Sequence, residues 1–446
     1  MSTLKAPIEA WRSAWASGHT AWSGLRERRV FKEGLWIVCG QVITMLCLIV
    51  GMRILTDLAP PEVFGTVNLL NGMAAFLTGL ICLPTLHATA RFYVDAEKVS
   101  RLGVFRTTIG AILKRQIALI VAIILLLGGF FTWQYQWSFL PFIILAALVS
   151  CEMLRTFELN MLSAARRQRS VAIWHMSESA SRPILAIVVI WLCGSSAAGV
   201  LGGFLLATAA LLAVGVFLLR HDGMENEQTN TDGSLVADIQ RYARPLAPLA
   251  IVGWINSAGD RFVISGMEST EAVGIYCAAY GMIAQGFGLL FGRFLFLLFR
   301  PIYFHAVGHG QIAREQRILK LWLASAVGAT ILTTATFYIL RYEIVHWLLA
   351  PKYISAAELF GILSIAFGLQ GLAEIYNTVS LAFKESKRVL ISESLASLTT
   401  VCAIIPLIAW WGIRGAAICT CVSYLVQLIS AYSLSWPLRR RFAIAS

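Results

Sequence analysis

Charged side chains are scarce in this sequence. Only 13% of its 446 residues are charged, about half the share of a soluble globular domain, whereas 58% are hydrophobic and the mean hydropathy is +0.72. So few charges cannot solubilise so much apolar surface, which excludes a soluble enzyme and a disordered chain. Continuous apolar runs of bilayer-spanning length recur along the chain and predict an all-α polytopic membrane protein. Because these runs do not alternate with polar residues, an outer-membrane-type barrel is also excluded.

Several chemical signatures are missing as well. The nine cysteines lie in apolar runs without a CxxC pair or a zinc spacing, and the histidine pair at 305 and 309 has no third ligand nearby. We therefore expect no metal site, no cofactor and no disulfide framework. The sequence contains no GxxxxGK[ST] phosphate loop and no large extracytoplasmic loop that would house a polymerase or transferase site. We expect a protein that is not an enzyme and has no catalytic residues.

Twelve apolar segments are long enough to cross a bilayer as helices. We place them at 34–53, 63–88, 109–132, 138–157, 171–193, 197–219, 245–266, 271–299, 319–340, 356–381, 389–411 and 414–436. The Lys and Arg residues divide 29 to 4 between the two sides, and three lie inside spans. Basic residues accumulate on the cytoplasmic side, so both termini are predicted to be cytoplasmic. The excess of Lys and Arg thus indicates orientation rather than nucleic-acid binding.

The spans form two groups of six. We predict an amphipathic cytoplasmic segment at 1–33, an N-terminal lobe at 34–220, a cytoplasmic linker at 221–244, a C-terminal lobe at 245–436 and a basic cytoplasmic tail at 437–446. The first segment carries an apolar stripe that includes Trp11, Trp15 and Trp22 among basic residues, which is typical of a helix lying on the membrane surface. A frayed tail is the alternative. The linker is polar and acidic, and residues 221–240 show no periodicity.

The two groups of spans resemble each other. When residues 62–91 are set against 271–300 without a gap, nine of the 30 positions are identical, including Gly65 with Gly274 and Arg91 with Arg300. Ser-Glu-Ser at 177–179 also recurs at 392–394. Because each group begins on the cytoplasmic side, the repeats must be parallel and related by a pseudo-twofold axis along the membrane normal. Two such lobes are typical of carriers that open alternately to either side.

Polar side chains occur at helical spacing within the spans. Asn68 and Asn71 lie in the second span and Gln285 lies in the eighth. Polar groups are costly in hydrocarbon and normally face a bundle interior or water, so these residues predict a hydrated cavity between the lobes. The glycines on the same faces are better explained by close helix packing.

Three arginines lie deep in spans: Arg182, Arg261 and Arg293. Arginine is permanently cationic, and its forked donors suit phosphate, so these residues are candidate ligands for an anionic group. Glu178 lies one turn before Arg182 and is included in this candidate site. Mutual neutralisation of Glu178 and Arg182 is the alternative interpretation of that pair.

Two deep carboxylates are candidates for coupling transport to an ion or proton. Asp260 is adjacent to Arg261, whereas Glu374 lies between Gln370 and Asn377 and has no basic residue within nine positions. Glu374 is therefore the better candidate for reversible protonation.

Three stretches identify a family resemblance. Residues 53–93 (RILTDLAPPEVFGTVNLL…ARFY) resemble the opening of Wzx-type oligosaccharide flippases. Residues 260–282 (DRFVISGMESTEAVGIYCAAYGM) and 411–424 (WGIRGAAICTCVSY) are similar to later segments of the same family. These motifs mark the multidrug/oligosaccharidyl-lipid/polysaccharide exporter superfamily better than they separate its branches.

The resemblance implies a twelve-helix, two-lobed carrier in the bacterial inner membrane that moves undecaprenyl-pyrophosphate-linked glycans between leaflets. It also implies contact with membrane lipids and with the polymerase and chain-length proteins of O-antigen, capsule or exopolysaccharide synthesis. The deep arginines would hold the pyrophosphate and the polar stripes would face the sugar. Two alternatives remain: a multidrug or organic-cation antiporter of the same superfamily, and a non-transporting component of a polysaccharide export complex.

Overall fold

The computed structural model describes residues 28–220, 233–243 and 247–444, and within these ranges the chain is helical without a strand. From residue 28 to residue 220 the chain contains seven helices. They are α1 (Arg28–Leu58), α2 (Pro61–Ile81), α3 (Leu83–Lys98), α4 (Leu102–Tyr135), α5 (Leu140–Ala164), α6 (Gln168–Cys193) and α7 (Ala197–Arg220). Helices α2 and α3 form one bent span, because Pro84 at the start of α3 cannot donate a backbone hydrogen bond to the preceding turn.

A short helix, α8 (Gly233–Ala243), precedes the C-terminal half. The following elements are α9 (Ala247–Trp254), a π-helix (Ile255–Gly259), α10 (Asp260–Met267), α11 (Thr270–Phe287), a second π-helix (Gly288–Leu295), α12 (Phe296–Gly308), α13 (Ile312–Ile339), α14 (Arg341–Leu348), a 3-10 helix (Pro351–Ala356), α15 (Ala357–Ala382) and α16 (Ser386–Ile444). Gly412 has φ 57° and ψ −140°, so α16 is two helices joined by a sharp turn. Glycine adopts such a backbone without the steric cost that a side chain would add.

Twelve crossings result from these helices. Nine segments of the described chain are long and apolar enough to span a bilayer by length and composition, and the last of these is divided into two crossings by Gly412. These segments give ten crossings. Helix α1 provides the eleventh, and the continuous helical segment from Ala247 to Met267 (α9, the π-helix and α10) provides the twelfth. The all-α fold of two six-helix lobes that was predicted from the sequence is therefore confirmed.

Two details differ from the sequence-based expectation. The linker predicted to lack periodicity contains α8, where Ile239 is fully buried and Ala243 is buried. Ile239 packs on the N-terminal lobe because its four-residue separation from Leu235 and Ala243 places all three on one helix face. The tail predicted from 437 continues α16 to Ile444. The segment 1–27 lies outside the described residues.

The lobes meet through the repeated segments. Helix α2 packs along α11, and the equivalent glycines Gly65 and Gly274 lie at this contact. A Cβ on Gly65 would lie 2.9 Å from the backbone nitrogen of Gly274 and still closer to the carbonyl oxygen of Thr270. A Cβ on Gly274 would lie 3.1 Å from Cα of Pro61 and closer to its carbonyl oxygen. Pro61 and Thr270 are also equivalent in the repeat, so the contact is reciprocal, as a pseudo-twofold axis requires.

One end of the lobe interface is closed by a second set of contacts, here called the latch. The segment after α14 hydrogen-bonds to the last residues of α1 and the turn that follows it: Ala350 N donates to Thr56 Oγ1 (3.2 Å), Lys352 Nζ to the Asp57 carbonyl (3.0 Å) and Tyr353 OH to the Ala59 carbonyl (3.2 Å). Thr56, Ala59 and Tyr353 are fully buried. The latch therefore excludes water from this end of the interface.

At the opposite end of the interface, the continuations of α2 and α11 separate from each other. Helix α3 packs mainly on α4, α5 and α8 of its own side and touches α9 of the other lobe, whereas α12 packs on α13 and α15. The continuations of the two central helices thus diverge after meeting at Gly65 and Gly274. The positive-inside distribution of Lys and Arg predicts that the diverging end is cytoplasmic.

Candidate functional site between the two lobes

Arg182 lies in a network of compensated charges inside the N-terminal lobe. Its guanidinium contacts Glu152 of α5 at 2.5 Å and Glu178 of its own helix at 3.0 Å, and it donates to Thr208 of α7 at 3.1 Å. Arg155 of α5 also pairs with Glu178. Two arginines and two glutamates therefore cancel in formal charge. The alternative interpretation, mutual neutralisation of Glu178 and Arg182, describes this site better than a free cation does.

Sequence reasoning missed Glu152 and Arg155: both lie near the end of the predicted fourth span, Arg155 is included among the basic residues that flank it, and Glu152 has no assigned role. Their spacing of three residues places opposite charges on one helix face, a signal that would have revealed them. The network holds α5, α6 and α7 together. Arg182 keeps a side-chain exposure of 26%, so one side of its guanidinium remains accessible.

Arg261 has a different environment. Its side chain packs over the ring of Tyr280, with 5.5 Å between Cζ and the ring centroid, and its Nε is buried without a hydrogen-bond partner among the described residues. The neighbouring carboxylate of Asp260 is already engaged, since it accepts from Tyr276 OH at 2.5 Å and from the backbone nitrogen of Arg261 at 2.8 Å. No described carboxylate forms an ion pair with the Arg261 guanidinium. A buried donor left without an acceptor is costly and favours an anionic ligand.

The π-helix Ile255–Gly259 sets the direction of Asp260 and Arg261, which follow it directly. Each π-turn inserts one extra residue, rotates the residues beyond it and occurs often at functional sites. The second π-helix contains Arg293. The side chain of Arg293 lies outside the described part of the structure, so its role remains a prediction.

The three deep arginines are not in one cluster. Arg182 is on α6, which packs on α1, α5 and α7, whereas Arg261 is on α10, which packs on α11, α16 and α2. Of these two helices, α10 is the one that also contacts a helix of the opposite lobe. Arg261 therefore lies closer to the interface of the two lobes than Arg182 does.

The predicted polar stripes lie along the interface helices. Asn68 and Asn71 are half-buried on α2, and Asn68 donates to the carbonyl of Phe64 at 2.8 Å. Gln285 is half-buried on α11 and its Oε1 has no described partner. One turn earlier, Gly281 faces Met52 of α1. These positions place amide groups on both central helices.

Aromatic side chains accompany the amides where α2 meets α9. Trp254 donates to the carbonyl of Gly72 at 2.8 Å and packs against Phe76 and Phe262, with ring centroids 4.9 and 5.3 Å away. A cavity of about 320 Å³ opens beside Trp254 and is lined by Gly79 and other residues of α2, α3 and α9. Small, aromatic and polar groups at one seam suit a ligand that carries sugars or rings.

Glu374 lies inside the C-terminal lobe beside a cavity of about 230 Å³ that is also lined by Phe287, Phe291 and Gln370. Its carboxylate accepts from Asn377 Nδ2 at 3.4 Å, a long hydrogen bond. No described cation pairs with Glu374 or with Glu393, the repeat equivalent of Glu178. Among the described residues, Glu374 and Glu393 thus lack the ion pairs that Glu152 and Glu178 form in the N-terminal lobe.

Solved transporter structures share this fold. An inward-facing multidrug resistance MATE family transporter of the MOP superfamily aligns with a TM-score of 0.65, 14% identity and coverage of 91% of this chain and 96% of that one. The lipid II flippase MurJ in an inward closed conformation aligns with a TM-score of 0.66, 12% identity and coverage of 93% and 91%. A point mutant of the Vibrio cholerae MATE transporter VcmN aligns with a TM-score of 0.60, 14% identity and coverage of 93% and 97%.

These similarities establish the two-lobed transporter fold of a multi-pass membrane protein. No curated protein sequence matches the chain. Residues 30–292, more than half of the chain, match the family described as polysaccharide biosynthesis protein. The chain therefore belongs to the polysaccharide biosynthesis protein family.

Proposed function

We propose that the protein is a flippase that moves an undecaprenyl-pyrophosphate-linked oligosaccharide across the bacterial inner membrane by alternating access. The observation that carries this proposal is the lobe interface, which is closed by the latch and the paired glycines at one end and whose central helices diverge at the other. A carrier must expose one site to each side in turn. In this arrangement the protein is a transporter without catalytic residues, and both termini are cytoplasmic.

In this proposal Arg261 binds the pyrophosphate of the cargo. It is the described deep arginine whose guanidinium lacks a carboxylate partner, and its Nε, like that of Arg182, is buried without an acceptor. Arg293 contributes a second cation from the neighbouring span. Arg182 and Glu178 take a supporting role, because their charges are already compensated.

The sugars would contact the polar interface. Asn68, Asn71 and Gln285 provide amide donors and acceptors for hydroxyl groups, and the cavity beside Trp254 provides an aromatic surface. The polyprenyl tail would remain in the bilayer at the end where the central helices diverge. The cargo would then pass to the polymerase and chain-length proteins of O-antigen, capsule or exopolysaccharide synthesis.

In this proposal the C-terminal lobe couples transport to a proton or ion gradient. Asp260 is held by Tyr276 and by a backbone amide, whereas Glu374 has only a long hydrogen bond from Asn377. A carboxylate with few fixed partners changes its protonation or ion occupancy with less structural cost. Glu374 is therefore our first candidate for coupling and Asp260 our second.

The test is a flipping assay with the purified full chain in proteoliposomes, using a fluorescent polyprenyl-pyrophosphate oligosaccharide and an impermeant quencher. Loss of charge-assisted hydrogen bonds worth about 1.5–3 kcal/mol should lower transport about 10- to 100-fold in Arg261→Ala. Arg261→Lys should recover part of the activity, because lysine keeps the charge but loses the fork. Arg91→Ala is the matched control, since Arg91 is exposed and paired with Asp95. Wild-type flipping by Arg261→Ala would refute the assigned role.

A second candidate function is export of organic cations. The acidic, aromatic cavity at Glu374, Phe287 and Phe291 favours it, because aromatic faces and a carboxylate attract cations. The same liposomes loaded with ethidium distinguish the two functions. Proton-driven ethidium movement that requires Glu374, with no glycan flipping, would replace the flippase proposal.

A further inference from the structure

A further cavity among the described residues is outside the lobe interface. It has a volume of about 510 Å³ and lies between α2, α3, α4 and the linker helix α8. Its lining includes Arg115 and Gln116 of α4, Thr85 of α3 and Gln240 of α8, together with apolar residues such as Leu80 and Ile112. None of these residues has a role in the transport proposal.

Arg115 marks the depth of this cavity in the membrane. From Gln116 to Tyr135, α4 contains twenty residues without a charge, which rise about 30 Å, the thickness of the hydrocarbon core. Arg115 therefore lies at the boundary where lipid headgroups begin. The excess of basic residues on this side identifies it as the cytoplasmic leaflet.

The polar groups of the cavity are incompletely satisfied. The guanidinium of Arg115 is exposed and forms no ion pair with a described residue. Gln116 donates from Nε2 to Thr85 Oγ1 at 2.9 Å, but its Oε1 is buried without a described partner. The site thus offers a cation for a phosphate beside an acceptor for an N–H or O–H donor.

We propose that this cavity binds a membrane phospholipid of the cytoplasmic leaflet whose headgroup joins a phosphodiester to a hydrogen-bond donor, as in phosphatidylethanolamine. Arg115 binds the phosphate, Gln116 Oε1 accepts from the headgroup, and Leu80 and Ile112 contact apolar parts of the lipid. Helix α8 covers the cavity through Val236 and Ala243. The bound lipid thereby fixes the linker between the lobes to the N-terminal lobe.

The test is native mass spectrometry of the full chain with phosphatidylethanolamine or phosphatidylcholine of identical acyl chains. Both lipids carry the phosphate, but phosphatidylcholine lacks the N–H donor. We expect wild type to retain phosphatidylethanolamine about fivefold better, as one hydrogen bond predicts. Gln116→Leu should abolish this discrimination, and Arg115→Ala should weaken both lipids about tenfold. Lys114→Ala is the control, because Lys114 is adjacent and exposed but does not line the cavity.

Three results would overturn the proposal. Equal retention of the two lipids by wild type would show that the N–H donor of the headgroup does not contribute to binding. Unchanged binding in Arg115→Ala would show that the lipid lies elsewhere. Displacement of the lipid by millimolar glycerol 1-phosphate would show that the cavity takes a soluble phosphate instead.

Discussion

The reciprocal contact of Gly65 and Gly274 makes a quantitative prediction about the transport cycle. In Gly65→Ala the new methyl group would lie 2.9 Å from the backbone nitrogen of Gly274 and closer to the carbonyl oxygen of Thr270. Backbone atoms cannot rotate away as a flexible side chain would. The lobes must therefore move apart at this end, and overpacking of this kind costs about 1–3 kcal/mol.

The cost applies only to the conformation in which this end is closed. It therefore changes the ratio of closed to open protein by between about fivefold and a hundredfold, because each 1.4 kcal/mol is a factor of ten. Gly274→Ala should have a similar effect, since the pseudo-twofold axis places Pro61 against Gly274 as it places Thr270 against Gly65. A substitution that affected folding alone would not open one end selectively.

Labelling of a buried latch residue measures this shift. Thr56 is fully buried in the latch, and Thr56→Cys introduces a thiol with little change in volume. The nine native cysteines are first replaced, so that the thiol introduced by Thr56→Cys is the one labelled. An impermeant maleimide should react with this thiol about fivefold faster or more when Gly65→Ala is added. Gly129→Ala is the control, because a Cβ there meets no atom within 4 Å. Equal labelling rates with and without Gly65→Ala would refute the packing argument.

Three further predictions concern charge and orientation. Glu374→Gln should abolish the dependence of flipping on an imposed pH gradient more completely than Asp260→Asn does. An unchanged pH response in Glu374→Gln would show that Glu374 has a structural role and does not couple transport. Cysteines placed in 221–240 should react with impermeant reagents only from the cytoplasmic side. Labelling from the outside would show that the chain has the opposite orientation. Glu178→Gln removes the shared partner of two arginines and should destabilise the protein by about 1.5–3 kcal/mol in thermal unfolding, whereas exposed Glu97→Gln should be neutral.

The architecture follows from composition and from similarity along the chain. A bilayer imposes a fixed length of apolar helix, so hydropathy located all twelve crossings, with ends that differ by several residues. The repeat at an offset of 209 residues paired Gly65 with Gly274, and the structure brings these glycines into contact. Such features are readable in the sequence because neither requires knowledge of how the helices pack.

The partners of the charged groups depend on how the helices pack. Arg182 and Arg261 look alike in sequence, since each has an acid nearby, yet Arg182 is neutralised by Glu152 of another helix. The acid next to Arg261 is instead occupied by Tyr276. The face that a helix presents to its neighbour depends on the crossing angle of the two helices. It also depends on π-turns such as Ile255–Gly259, which rotate the residues that follow them about the helix axis.

The closed end of the interface also requires the folded protein. Thr56 and Ala350 are almost three hundred residues apart, and their hydrogen bond forms because the lobes meet at the paired glycines. The cavity beneath α8 likewise requires three separate segments to pack together. Sequence patterns determine which residues enter the membrane and at what depth. The packing of helices across the pseudo-twofold axis determines which polar groups find partners and which remain available to a ligand.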